Sequence, residues 1–164
     1  MELYSPAFAD GAPIPDRFTC EGQGLSPPLS WRGIPGDAES LALFCDDPDA
    51  PGGRYRHWGV FDIPPRWDGL PAGFRGGRPI RQTLSDNGRL GYAPPCPPPG
   101  SGRHRYVFVL LALRCGTLSL PDGVRFEEAE RAAFHSDYLA RSSLTGVFAR
   151  RSLRNPAVHQ PLGE

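Results

Sequence analysis

Apolar positions in this chain fall into short runs broken by Gly, Pro and Asp, and the runs have the lengths of strands. Residues 40–46 and 57–63 read as two central strands. The run Tyr106-Val107-Phe108-Val109-Leu110-Leu111-Ala112-Leu113 is the strongest. It is apolar on both faces, which predicts a central strand covered on each side. Weaker signals predict short strands at residues 3–8 and 18–22, and another around Leu29–Trp31 that follows the extended Ser26-Pro27-Pro28. A final strand is expected at 144–150. Residues 127–140 read as the one helix, with Glu127 and Glu128 in its first turn and Arg141 past its end, matching the helix dipole. Phe134, Tyr138 and Leu139 give that helix a modest apolar face. Residues 64–90, which carry Arg66, Arg75, Arg78, Arg81 and Arg89, read as a long irregular connection. Trp31 is expected in the core, and the tail from Asn155 is polar. No repeat or second domain is visible, so residues 1–164 read as a single domain with its core at about 3–151.

Polar chemistry gathers where these strands begin and end. Asp46-Asp47-Pro48-Asp49-Ala50-Pro51 closes the first central strand, and His57-Trp58 opens the second. A loop carried on a rigid strand pair is a common place for a site, although Asp-Pro and Pro-Gly also serve simply to make turns. His104 and Tyr106 are two residues apart at the start of the strongest strand, so they share a face. Between these clusters, Gly91-Tyr92-Ala93-Pro94-Pro95-Cys96-Pro97-Pro98-Pro99-Gly100 is locally stiff and extended; composition alone would make it a ligand for an SH3 or WW domain, but its place between strands favours a rigid pocket wall.

Composition supports a β-rich globule with many turns: Gly and Pro contribute 20 residues each, and 39% of the chain is hydrophobic. No apolar run approaches the roughly 20 residues of a membrane span. The segment Met1-Glu2-Leu3-Tyr4-Ser5-Pro6 has neither the basic nor the apolar part of a signal peptide, so a cytoplasmic location is expected. Net charge is zero, yet residues 1–51 hold two Arg against nine acids, and residues 52–105 hold nine Arg against three. Either an anionic ligand or a solvated face accounts for the basic middle. Nucleic acid is not an expected partner at zero net charge, since the arginines are not interleaved with aromatics in a known module. Stable membrane insertion is not expected either, for want of a basic amphipathic helix. Cys20, Cys45, Cys96 and Cys115 form no Cys-x-x-Cys pair, which argues against structural zinc, and free thiols are expected.

Taken together, Ser26-Pro27-Pro28-Leu29-Ser30-Trp31, Asp46-Asp47-Pro48-Asp49-Ala50-Pro51, His57-Trp58, Gly91-Tyr92 through Pro97-Pro98-Pro99-Gly100, and His104-Arg105-Tyr106 resemble the phosphatidylethanolamine-binding protein family. The similarity is greatest to its bacterial, Raf kinase inhibitor-like branch, and it extends to Leu144-Thr145-Gly146-Val147-Phe148-Ala149-Arg150. The resemblance implies a mainly β fold of two antiparallel sheets, sandwich-like, with one helix and long irregular loops. It implies a non-enzymatic binding protein with a small anion pocket for phosphate or phosphoethanolamine-like ligands and no cofactor. The implied ligand-binding residues are Asp47, Asp49, Pro51, His57, Pro97, Pro98, His104 and Tyr106. A cis Ala50–Pro51 bond, a protein partner of the kinase or protease type, and homodimerisation are implied in the same way. Departures from the family occur at Ser85-Asp86-Asn87-Gly88 and at Pro94-Pro95-Cys96, where proline removes backbone donors from the loop side of the pocket.

The residues themselves support anion binding through donors from His57, His104 and Tyr106, with Asp47 orienting an imidazole or receiving a ligand amine. A second reading makes Asp47, His57 and His104 a metal triad, or the partners of a Cys96 or Ser101 nucleophile in a hydrolase. Neither a Gly-x-Ser-x-Gly elbow nor a His-Glu-x-x-His helix accompanies them.

Overall fold

The computed structural model describes residues 1–151. Eight strands and one helix follow one another in the order β1 (Glu2–Tyr4), β2 (Leu29–Arg32), β3 (Ser40–Asp47), β4 (Tyr55–Ile63), β5 (Gly69–Leu70), β6 (Arg81–Gln82), β7 (His104–Leu113), α1 (Phe126–His135) and β8 (Ala140–Phe148). They form a small sheet β1-β2-β5 and a larger one β6-β4-β3-β7-β8, with every strand pair antiparallel. The expected mainly β architecture of two antiparallel sheets and one helix is what the chain adopts.

Period-two alternation distributes the central strands between two cores. Leu41, Leu43 and Cys45 of β3, with Tyr106, Phe108, Leu110 and Ala112 of β7, face the small sheet and pack with Leu3, Leu29 and Trp31. Ala42, Phe44, Leu111 and Leu113 point the other way, onto Phe126, Ala129 and Ala133 of α1. Burial on both sides explains why β3 is apolar throughout Leu41–Cys45 and β7 throughout Tyr106–Leu113. The helix is shorter than 127–140 because Ser136 Oγ donates back to Ala133 O at 2.8 Å and Asp137 takes a left-handed φ of 57°. β8 begins earlier than Leu144. Its first half, Ala140-Arg141-Ser142-Ser143, carries three polar residues and is held by the backbone ladder with β7 and by Ser142 Oγ, which accepts from Leu3 N.

Other short elements differ from expectation. Residues 18–22 are not a strand: Asp16–Phe18 make a 3-10 turn, closed by Thr19 Oγ1 donating to Asp16 O at 2.9 Å. Within 64–90 the chain still pairs β5 to β2 and β6 to β4. The cis X-Pro bond is Arg78–Pro79, and Ala50–Pro51 is trans. The polar tail from Asn155 lies outside the described residues.

The amino-terminal segment closes the far edge of the larger sheet. Leu3 N donates to Ser142 Oγ, Gly11 N to Thr145 O and Ile14 N to Val147 O, while Val147 N returns a bond to Ala12 O. Ile14 and Phe8 rest on Gly146, where a Cβ would stand 2.4 Å from Ile14. Only glycine permits this approach, and the edge of β8 is thereby covered.

Candidate functional site

A cavity of about 350 Å³ opens where β3 ends and β4 and β7 begin. Asp47, Pro51, His57, Pro97, Pro98, His104 and Tyr106 all line it, joined by Ala50, Tyr55, Pro94 and Cys96. Local strand geometry explains the convergence. His104 and Tyr106 alternate with the exposed Arg105, so β7 delivers both to one face. Asp47 continues the inward alternation of Leu41, Leu43 and Cys45 along β3. On β4, Cys45 faces Trp58 while Asp46 faces Arg56, which leaves His57 as the extra residue of a bulge. That bulge lets consecutive residues serve different ends: Trp58 fills the core and His57 lines the cavity.

Both imidazoles are buried and both are held by Nδ1. His104 Nδ1 lies 2.7 Å from Asp47 Oδ2, and His57 Nδ1 lies 2.7 Å from Ala93 O. A carboxylate and a carbonyl can only accept, so each Nδ1 carries the hydrogen and each Nε2 is left for other partners. The other oxygen of Asp47 accepts from Asp49 N at 2.8 Å, which fixes the turn beneath the pair. Burial pushes the pKa of His57 down, against the opposing pull of Ala93 O and of Asp47, Asp46 and Asp86. Burial likewise raises the Tyr106 phenol, aided by the charge of Asp47, so it stays a donor. Tyr55 packs on His57 with ring centroids 4.7 Å apart, and Tyr106 meets the same ring edge-on at 5.1 Å.

Asp49 is not part of the lining. It accepts from Arg105 Nε and Nη2, each at 2.9 Å, and from Arg105 N at 2.9 Å. These bonds hold its carboxyl down at about 2. The chain leaves the strand at Pro48, so the two-residue spacing from Asp47 no longer means a shared face. Asp49→Ala is therefore expected to leave phosphate affinity unchanged in a calorimetric titration; a tenfold loss would return Asp49 to the site.

The arginines of the basic middle section do not line the cavity. Arg54 joins Asp46 of β3 and Glu130 of α1, and Arg56 reaches Asp86 and Glu127. These arginines lash the helix to the sheet. Free thiols were the wrong expectation for one pair: Cys20 and Cys96 form a disulfide across 76 positions, a separation with no local signature. Cys96 is thus no nucleophile, and its bond ties the proline wall to the 3-10 turn. Cys20 N also donates to Pro95 O. The prolines have not closed the cavity. Asp47, His57 and His104 do not form a metal triad: among the described residues no three His, Cys, Asp or Glu side chains are placed to hold an ion. Tyr55, which the sequence reading passed over, lies two residues before His57, and the same-face spacing used for His104 and Tyr106 points to it.

Comparison with known proteins bears on this arrangement. The family model described as phosphatidylethanolamine-binding protein matches residues 4–149. A UPF0098 protein of Methanothermobacter thermautotrophicus is 46% identical over 154 residues, covering 92% of this chain and 99% of its own. The crystal structure of CT736, a phosphatidylethanolamine-binding protein homologue from Chlamydia trachomatis, superposes with a TM-score of 0.82 at 37% identity, covering 91% of this chain and 97% of that one. YbcL of E. coli, described as a new member of the mammalian family, gives 0.85 at 26% identity, covering 92% and 98%.

Proposed function

This chain belongs to the phosphatidylethanolamine-binding protein family, and from that premise we propose that its cavity receives a small anionic group, a phosphate or a phospho-headgroup. The protein acts by binding, and the occupied pocket tunes contact with a protein partner of the kinase or protease type. The observation that carries this reading is the pair of buried imidazoles, each with Nδ1 committed to a fixed acceptor, His57 with Nε2 left over and His104 with Nε2 facing the exposed hydroxyl of Ser101. Fixed rings lose little entropy when they bind, and a protonated Nε2 donates to an oxyanion. Tyr106 adds a phenolic donor, and the charge of Asp47 pulls against the burial that lowers the His57 pKa.

Among the described residues no Arg lines the cavity, and the histidines are its source of positive charge. Empty, His57 stays neutral near pH 7 because burial lowers its pKa. Anion binding therefore takes up a proton, and affinity rises as pH falls below the ordinary histidine value of about 6.5. Sulfate isolates this effect, since it has no proton of its own to lose in that range. A sulfate titration across pH 5–8 is expected to tighten toward the acid end, with the His57 titration moving upward on saturation. A flat profile would remove His57 from the binding reaction.

The function is tested by titrating inorganic phosphate and phosphoethanolamine into wild type and His57→Ala, followed by histidine NMR and calorimetry. Saturable binding that moves His57 and His104 and is lost in the variant supports the proposal. Unmoved histidines at millimolar phosphate would overturn it.

A further inference from the structure

The loop between the proline wall and β7 carries Ser101, whose hydroxyl lies 3.0 Å from His104 Nε2. His104 Nδ1 is 2.7 Å from Asp47 Oδ2. With Nδ1 protonated against the carboxylate, neutral His104 turns a lone pair on Nε2 toward the serine, which donates. Hydroxyl, imidazole and carboxylate thus stand in series, the acid and the base buried at 4% side-chain exposure each and the hydroxyl exposed. We propose that Ser101 is a nucleophile, activated by His104 and Asp47, that accepts the acyl group of a small carboxylic ester at the rim of the cavity.

Three features meet the requirements of this chemistry. The base is within hydrogen-bond reach of the nucleophile and is oriented by a third group. Gly100 and Gly102 flank the serine with φ of 77° and 84°, forming a tight turn that presents it, and a Cβ at either glycine would meet nothing within 4 Å. The turn is thus open around the two glycines. His104, Pro97 and Pro98 also line the cavity, which has room for a small acyl chain, and Tyr106 of the same lining is the donor proposed for the developing oxyanion.

The step balances without a co-reactant other than water. Ser101 Oγ bonds to the ester carbonyl carbon while its proton passes to His104 Nε2. The carbon–alkoxide bond then breaks, and the leaving alkoxide takes that proton. Water attacks the acyl-serine by the same route, so ester and water become acid and alcohol. This activity does not require anion binding, but it shares His104 and Asp47 with it, so a bound anion competes with Ser101 for Nε2.

A fluorophosphonate probe tests the nucleophile directly, because Oγ attacks phosphorus and fluoride leaves. Wild type is expected to gain one adduct, mapped by mass spectrometry to Ser101 and formed at least about 100-fold faster than at the exposed Ser119, which has no imidazole partner. In Ser101→Ala the adduct and the turnover of p-nitrophenyl acetate are lost, while phosphate still shifts the His57 signals. Labelling of Ser101 no faster than of Ser119, or undiminished ester turnover in Ser101→Ala, would overturn the proposal. Either result leaves the anion pocket to be judged by its own titration.

Discussion

Cys20→Ser/Cys96→Ser is expected to unfold about 4 kcal/mol more readily than wild type, because the cross-link closes a loop of 76 residues. In a domain of this size that corresponds to a fall in Tm of about 10 °C. Denaturant titration with and without reductant measures it, and wild type in reductant should move to the variant's midpoint. The effect on the pocket is the more specific prediction. Cys96 lines the cavity and holds the proline wall to the turn at Asp16–Phe18, so the reduced protein should bind phosphate more weakly while keeping its sheets. Equal affinity in both redox states would show that the prolines hold the wall unaided.

His104→Ala should cost about 3 kcal/mol of stability, since it strands the Asp47 carboxylate in a buried site with one remaining bond, from Asp49 N. Asp47→Asn should cost less, because an amide keeps an acceptor for His104 and carries no charge to desolvate. The double variant His104→Ala/Asp47→Asn should recover part of the loss, because the buried charge is gone. Strict additivity in this double-mutant cycle would mean that the two side chains are energetically independent despite their 2.7 Å contact. Both single variants should lose phosphate binding, which separates the pair's functional role from its structural one.

Much of this was legible in the chain, and the parts that were not share physical reasons. β3, β4 and β7 stood out because burial on both faces gives each a long apolar run. The first half of β8 was hidden because its bonding is to backbone, which leaves no trace in side-chain type. Asp47, His57, His104 and Tyr106 were readable as polar residues at strand ends, where sheet geometry sets direction. Asp49 was expected from the family resemblance alone, and its place outside the lining follows from its pairing with Arg105, which no local pattern shows. The Arg54 and Arg56 pairings with α1 and the Cys20–Cys96 bond join distant parts of the chain, and no local pattern encodes such a distance.

The covered edge of β8 has a consequence for how the protein is made. Leu3 is bonded to Ser142, 139 positions later, and Phe8 and Ile14 find their seat only at Gly146. Synthesis therefore yields an amino-terminal strap that waits, uncovered, for nearly the whole chain to emerge. Long-range pairing of this kind slows folding and prolongs the exposure of apolar residues. β8 follows every other described strand in the chain, so the first segment settles only after the rest of both sheets has been made.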